Sequence, residues 1–126
     1  RNACALEGTI TFVGIDDAEG KTQVSQQLPN IERPSEPFTV LLYHRPDDFE
    51  AAAQSGIDLM LCGHTHNGQI VPFNFAVKRV FPRIAGLYEH AGAKLYVSPG
   101  TGTWGPPLRL GSVNEITLLK LGPAPV

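Results

Sequence analysis

Nowhere in this chain do 18 or more apolar residues follow one another, and no charged-then-apolar leader precedes a small-residue cleavage site. The chain as given is therefore expected to be soluble. Charge of one sign is equally scarce: ten Lys and Arg stand against twelve Asp and Glu, a formal balance of −2. That leaves no basic footprint, so nothing in the charge suggests a nucleic-acid partner. Cysteine is reduced to Cys4 and Cys62, far apart in sequence. They read as separate buried thiols behaving like small hydrophobes, and they do not fix a redox compartment. The phosphate-binding P-loop, the G-x-G-x-x-G turn, the G-x-S-x-G elbow and the His-Glu-x-x-His helix are all missing. Internal repeats and low-complexity segments are missing too. The first residue is Arg1 rather than Met, and the opening residues read as the lead-in to a strand. The chain is thus expected to be part of a longer protein, and a missing targeting segment says little about location.

What remains suits one domain: 126 residues, 42% of them apolar, enough for one core. Gly8 to Ile15 is β-branched and apolar and predicts a strand, closed by Asp16, Asp17 and a turn at Glu19-Gly20. Lys21 to Pro37 is polar and proline-rich, which predicts a surface loop with at most one short turn. Phe38 to Tyr43 is continuously apolar, as a strand covered on both faces would be. Asp47 is placed to cap a short helix, with Glu50 three residues on and Phe49, Ala52 and Ala53 forming its apolar face. Gly56 supplies the stop, and Ile57 to Leu61 reads as a second buried strand. Beyond it, short strands are predicted at Gln69–Pro72, Gly86–Glu89, Lys94–Ser98 and Val113–Leu121. Ala91-Gly92 reads as a hairpin turn, Ser98 to Gly111 as a glycine- and proline-rich loop, and residues 122–126 as a loose tail.

The run Cys62-Gly63-His64-Thr65-His66-Asn67-Gly68-Gln69 carries the chemistry. Two histidines one residue apart, lifted from a buried strand by a glycine, are poor core material and good metal donors. The strand–helix–strand unit before them adds a third. In a parallel pair both strands end on the same edge, where open α/β folds bind ligands, so His44 after the first strand falls near His64 and His66. Three imidazoles on one edge can hold a divalent cation. His90 falls in the hairpin turn and reads as a solvated residue.

Phosphate-ester chemistry commonly uses two ions about 3.5–4 Å apart, held by a bridging carboxylate. None of Asp16, Asp17, Asp47, Asp48 and Asp58 has a spacing that marks it for that role. Cys62 as a nucleophile would need access, and its place at the end of an apolar strand argues for burial. Gly100-Thr101-Gly102 can offer N–H groups to an anion, although an ordinary loop explains it as well. Arg109 is a weak candidate for phosphate contact, a surface salt bridge being its commoner role.

Leu41-Leu42-Tyr43-His44-Arg45-Pro46-Asp47, followed by Asp58-Leu59-Met60-Leu61-Cys62-Gly63-His64-Thr65-His66-Asn67-Gly68-Gln69, resembles the C-terminal half of a calcineurin-like metallophosphoesterase. The first stretch is similar to that family's lone-histidine motif and the second to its Gly-His-x-His motif. Phe12-Val13-Gly14-Ile15-Asp16-Asp17 and Ser98-Pro99-Gly100-Thr101-Gly102-Thr103-Trp104 resemble a bacterial branch whose members are often exported or membrane-associated. The likeness runs from about Arg1 to Leu121. One departure is Asn67, where many relatives have glycine; asparagine tolerates the left-handed conformation.

The resemblance implies an α/β (α+β mixed sheet) fold, half of a four-layer α-β-β-α sandwich. It implies that His44 and His64 bind one divalent metal ion and His66 a second, the ions being Mn, Fe, Zn or similar. The remaining ligands and the acid that protonates the leaving group come from the family's N-terminal half, and no position here matches them. The expected function is hydrolysis of phosphate mono- or diesters by the parent protein, with this chain inactive alone. A sheet face meant for the missing half would favour association, to a dimer or higher oligomer. Two other readings stand beside it: a mononuclear three-histidine metal-binding module, and a non-catalytic half-domain serving as an assembly surface.

Overall fold

Four apolar segments with little polar interruption make the centre of a six-stranded mixed sheet. In the computed structural model, residues 3–6 (backbone), 10–34 and 38–122 are described. In chain order the elements are β1 (Ala3–Leu6), β2 (Ile10–Gly14), α1 (Gln23–Gln27), β3 (Phe38–Leu42), α2 (Phe49–Gln54), β4 (Leu59–Cys62), α3 (Phe73–Val80), β5 (Gly86–His90) and β6 (Ala93–Val97). The spatial order is β1-β2-β3-β4-β6-β5. Strands β2, β3, β4 and β6 run parallel, and the two edge strands are antiparallel to their neighbours. The carboxyl ends of four strands therefore meet on one edge, and every candidate ligand lies just beyond it.

Side chains alternate across the strands, so Val13, Leu41, Met60, Leu95 and Val97 share one face and are all fully buried. Helices α1 and α2 cover that face through Val24, Leu28, Phe49 and Ala52. On the opposite face Phe38 and Leu42 stay 40% and 44% exposed. The mixed sheet with helices on one face is the arrangement expected of half a sandwich.

The strand–helix–strand unit forms as read, with one local correction. Asp48, not Asp47, occupies the helix N-cap, at φ 64°, and it makes no side-chain bond to its own helix. Its Oδ2 instead accepts the Ser25 N–H at 2.7 Å, tying α2 to α1. Gly56, at φ 76°, ends α2 as expected. The Gly56 N–H donates to Ala53 O and the Ile57 N–H to Ala52 O, both at 3.1 Å, which is the paired closure that a left-handed residue after a helix allows. The Ala91-Gly92 turn also forms, both residues at positive φ, as a tight hairpin between twisted strands requires.

Three expectations fail. The loop predicted over Lys21–Pro37 contains α1 and a 3₁₀ turn at Leu28–Asn30; Val24 and Leu28, four residues apart, are buried, and that burial holds a helix too short to show a period. Residues 35–37 of that segment lie outside the described residues. The strand predicted at Gln69–Pro72 is only an isolated bridge between Ile70 and Leu110. It is followed by α3, whose Phe73, Ala76, Val77 and Val80 recur at helical spacing over just two turns. The strand predicted at Val113–Leu121 does not form: it has no ladder to a neighbour, and Ile116 and Leu118 are 91% and 81% exposed. A strand is stabilised by its partner, and an apolar pattern without one remains irregular. Of the expected loose tail, residues 123–126 lie outside the described residues, as do the Cys4 side chain and Gly8.

Candidate metal centre

His44 follows β3 after Tyr43, and the Gly63 N–H donates to its carbonyl at 3.0 Å, locking the end of β3 to the end of β4. That backbone bond brings two imidazoles together. His64 Nδ1 lies 3.0 Å from His44 Nε2, with ring centroids 4.8 Å apart and planes at 75°. Both side chains are exposed at the sheet edge. Two nitrogens at that separation suit joint ligation of one ion with metal–nitrogen bonds of about 2.0–2.1 Å. Burial, then the neighbouring His44 and Arg45, hold the His64 pKa below its ordinary value, so the ring is kept neutral and able to donate a lone pair.

The loop is bent hard to achieve this. His64, His66, Asn67 and Gln69 all have φ between 50° and 68°, the left-handed region that L side chains avoid. Asn67, at φ 52°, takes the conformation that its side chain tolerates, so the family glycine is not required there. Gly68 is a different matter. It sits at φ 71°, and an added Cβ would fall inside Asn74 at the start of α3. Such conformations cost on the order of 1–3 kcal/mol each and persist only when surroundings over-determine them. Here the surroundings are specific. Thr65 Oγ1 donates to Ile84 O at 2.5 Å, and the buried Gln69 amide grips Trp104, accepting its N–H at 2.6 Å and donating to its carbonyl at 2.8 Å.

His66 is on the same edge but in a different setting. Arg109 Nη1 donates to His66 O at 3.1 Å, and Nη2 faces His66 Nδ1 at 3.4 Å. The His66 pKa is also lowered, first by burial and next by the Arg109 charge. Among the described residues no group of three or more His, Cys, Asp or Glu could hold one metal ion.

Other candidates resolve into structural roles. Arg109 makes no salt bridge among the described residues: its guanidinium donates to Pro99 O at 2.7 Å, Gly102 O at 2.6 Å and Gly100 O at 3.3 Å, clamping the glycine-rich loop onto His66. The carbonyls of Gly100 and Gly102 are thereby turned on a cation, and the Gly100 N–H goes to Ser98 Oγ. Asp17 pairs with Arg45 at 2.9 Å, and Asp58 Oδ2 accepts the Thr39 N–H at 2.7 Å. Burial raises the Asp47 carboxyl above its ordinary value, against the pull of Lys21, Arg45 and His64. Cys62 is buried, and desolvation followed by the nearby Asp47 pushes its thiol up to about 12, so it holds almost no thiolate at neutral pH. His90 is exposed and meets the Phe49 ring edge-on at 6.3 Å.

What the sequence reading passed over is the surround of the histidines: the Gln69–Trp104 clamp and helix α3. Gln69 carried no signal because its partner lies 35 residues away. Phe81, beyond α3, packs edge-on against the His64 ring at 5.1 Å.

Comparison with known proteins points to one family. The chain is 40% identical over 129 residues to an uncharacterized metallophosphoesterase of Helicobacter pylori strain J99, a match covering 97% of this chain and 35% of that protein. It is 50% identical over 126 residues to a bovine transmembrane protein with metallophosphoesterase domain, covering 92% of this chain and 28% of the relative. A phosphodiesterase of Escherichia coli is 39% identical over 87 residues, 65% of this chain and 32% of its own length. The chain thus spans about a third of the relatives it matches. No family model matches, and no solved structure matches.

Proposed function

Because the chain belongs to the metallophosphoesterases, we propose that in its parent protein it supplies His44, His64 and His66 to a two-metal site that hydrolyses phosphate mono- or diesters. The observation that carries this reading is the His44–His64 pair, 3.0 Å apart at the carboxyl edge of the parallel strands. His44 and His64 would hold one ion and His66 the other. When bound, divalent ions such as Mn, Fe or Zn supply a hydroxide at neutral pH and neutralise charge on the phosphate. This chain's residues do the positioning. The Gly63–His44 backbone bond sets the distance between the paired rings, and the clamps at Thr65, Gln69 and Arg109 hold the strained loop that carries His64 and His66. Lowered basicity keeps both loop histidines as neutral donors.

Two of the chain's aspartates near this edge are engaged elsewhere: Asp17 with Arg45 and Asp48 with Ser25. The chain alone is accordingly expected to be inactive and to retain little tightly bound metal. The parent-length protein should hydrolyse bis(p-nitrophenyl) phosphate with added Mn²⁺ and lose that activity in EDTA. Near-stoichiometric tight metal on this chain, with no hydrolysis by the parent, would instead support a metal-binding module.

Association and location belong to the same proposal. The half-open sheet face with Phe38 and Leu42 is suited to packing on another half-domain, so the isolated chain should sediment as a dimer or larger species. A monodisperse monomer in the ultracentrifuge excludes that. No helix among the described residues is long and apolar enough to cross a membrane. Membrane association of the parent is proposed from the bovine relative's name and is checked by fractionating cells that express the parent-length protein.

A further inference from the structure

Beside the histidines lies a cavity of about 1030 Å³ whose walls have almost no polar atoms. His44, His64 and His66 stand at one side of it. Helix α3 contributes Phe73, Ala76, Val77 and Val80 to its lining, and Trp104 and Pro106 border it. A surface helix ordinarily buries its apolar stripe against the core. Helix α3 buries no residue at all: Phe73 and Val80 are about half exposed, and Trp104 is 69% exposed. The stripe therefore faces an open cavity that ends at the candidate metal ligands. Ligand sites have this composition, apolar walls with a few convergent polar groups.

We propose that this cavity binds the apolar part of the phosphate ester, an alkyl or acyl chain, while the phosphate sits at the histidines. The proposal rests on the phosphoesterase reading and adds to it the substrate class, an amphiphilic phosphoester. The occupant is an amphiphilic ligand because the cavity sets three imidazoles in an otherwise largely apolar lining, matching a molecule with one polar end and an apolar body. Phe81 makes the two regions continuous, since its ring packs on His64 and also lines the cavity.

Trp104 is the only tryptophan of the chain, so its emission reports on this cavity alone. With Mn²⁺ added in excess, the chain would be titrated with butyl phosphate, octyl phosphate and octanol below their micellar concentrations. Octyl phosphate is expected to shift the emission to the blue and to bind at least tenfold more tightly than butyl phosphate, given up to roughly fourfold per buried CH₂. Ala76→Trp, on the exposed wall, fills the cavity and should abolish the dependence on chain length; because it adds a second indole, competition by octyl phosphate against a fluorescent fatty acid is its readout. Val80→Asp, read by Trp104, should weaken octyl phosphate at least tenfold, with circular dichroism confirming that each variant folds. Equal affinity for butyl and octyl phosphate overturns the proposal. So does emission that is already blue in the free chain and unmoved by ligand, which would mean that a protein surface covers the cavity. Octanol binding as tightly as octyl phosphate keeps the apolar site and counts against the phosphoester reading.

Discussion

Replacing His64 by alanine in the parent-length protein is expected to lower kcat/KM for a phosphodiester at least about 100-fold, beyond the 10–100-fold that loss of a merely ligand-orienting partner costs. The reason is geometric. His64 Nδ1 and His44 Nε2 are 3.0 Å apart, and removal of either ring leaves one imidazole where two are needed. His44→Ala should therefore fail to the same degree, and the double variant should be scarcely worse than either single one, because groups acting as a unit are not additive. His66 lies in a separate setting under Arg109, so His66→Ala should remove a different ion, seen as a loss of one equivalent that His44→Ala leaves in place. His90→Ala is the control: that ring meets the Phe49 edge, the residue pairs with Ala93 at the opposite edge of the sheet, and its removal should change activity less than twofold. A His64→Ala protein retaining activity within about threefold would sink the assignment.

Phe49→Ala is expected to cost about 3–5 kcal/mol of stability, the usual range for truncating a fully buried aromatic. Phe49 is 0% exposed and is the largest fully buried side chain among the described residues. It projects from α2 into the cluster formed by Leu41, Met60 and Leu95, with the Arg83 guanidinium over its ring at 5.4 Å. Since α2 joins the two strands that deliver His44 and His64, loosening it should disturb the pair as well as the fold. Glu50→Gln is the contrast on the same helix. It weakens the ion pair with Arg83, which holds the Glu50 carboxyl below its ordinary value, but both partners are partly exposed. A surface pair of that kind contributes about 0–1 kcal/mol. Urea unfolding monitored by circular dichroism separates the two: a large drop in midpoint at unchanged slope for Phe49→Ala, and a small one for Glu50→Gln. A Phe49→Ala cost under about 1 kcal/mol would show that α2 is not held by this residue.

How much was legible depended on range along the chain. The β3–α2–β4 unit was readable because its signals are local: two apolar runs, a short apolar helix face, and a glycine stop at Gly56. Burial on both faces makes such strands hydrophobic throughout, and the crossover length makes them parallel. Parallelism then placed His44 beside His64 before any coordinates. The Ala91-Gly92 hairpin was readable for a similar reason, since both residues adopt the positive φ that a tight turn demands. Helices α1 and α3 were not readable. Each spans about two turns or fewer, so its own pattern is too short to show a period. Val113–Leu121 shows the opposite failure. Its apolar residues suggest a strand, but a strand needs a neighbour, and the described residues provide no ladder for it.

By itself, the sequence determined that this chain carries a parallel strand–helix–strand unit with a Gly-His-Thr-His loop at its carboxyl edge. Those features follow from residue order over a dozen positions at a time. Only the tertiary structure decided which histidines meet. The distance between His44 and His64 is set by a backbone bond joining two strand ends, and the setting of His66 is set by Arg109 and Gln69 reaching across more than 30 residues. The apolar cavity was likewise decided there. An amphipathic helix can be read from spacing, but whether its stripe meets a core or an open space depends on what the rest of the chain packs against it.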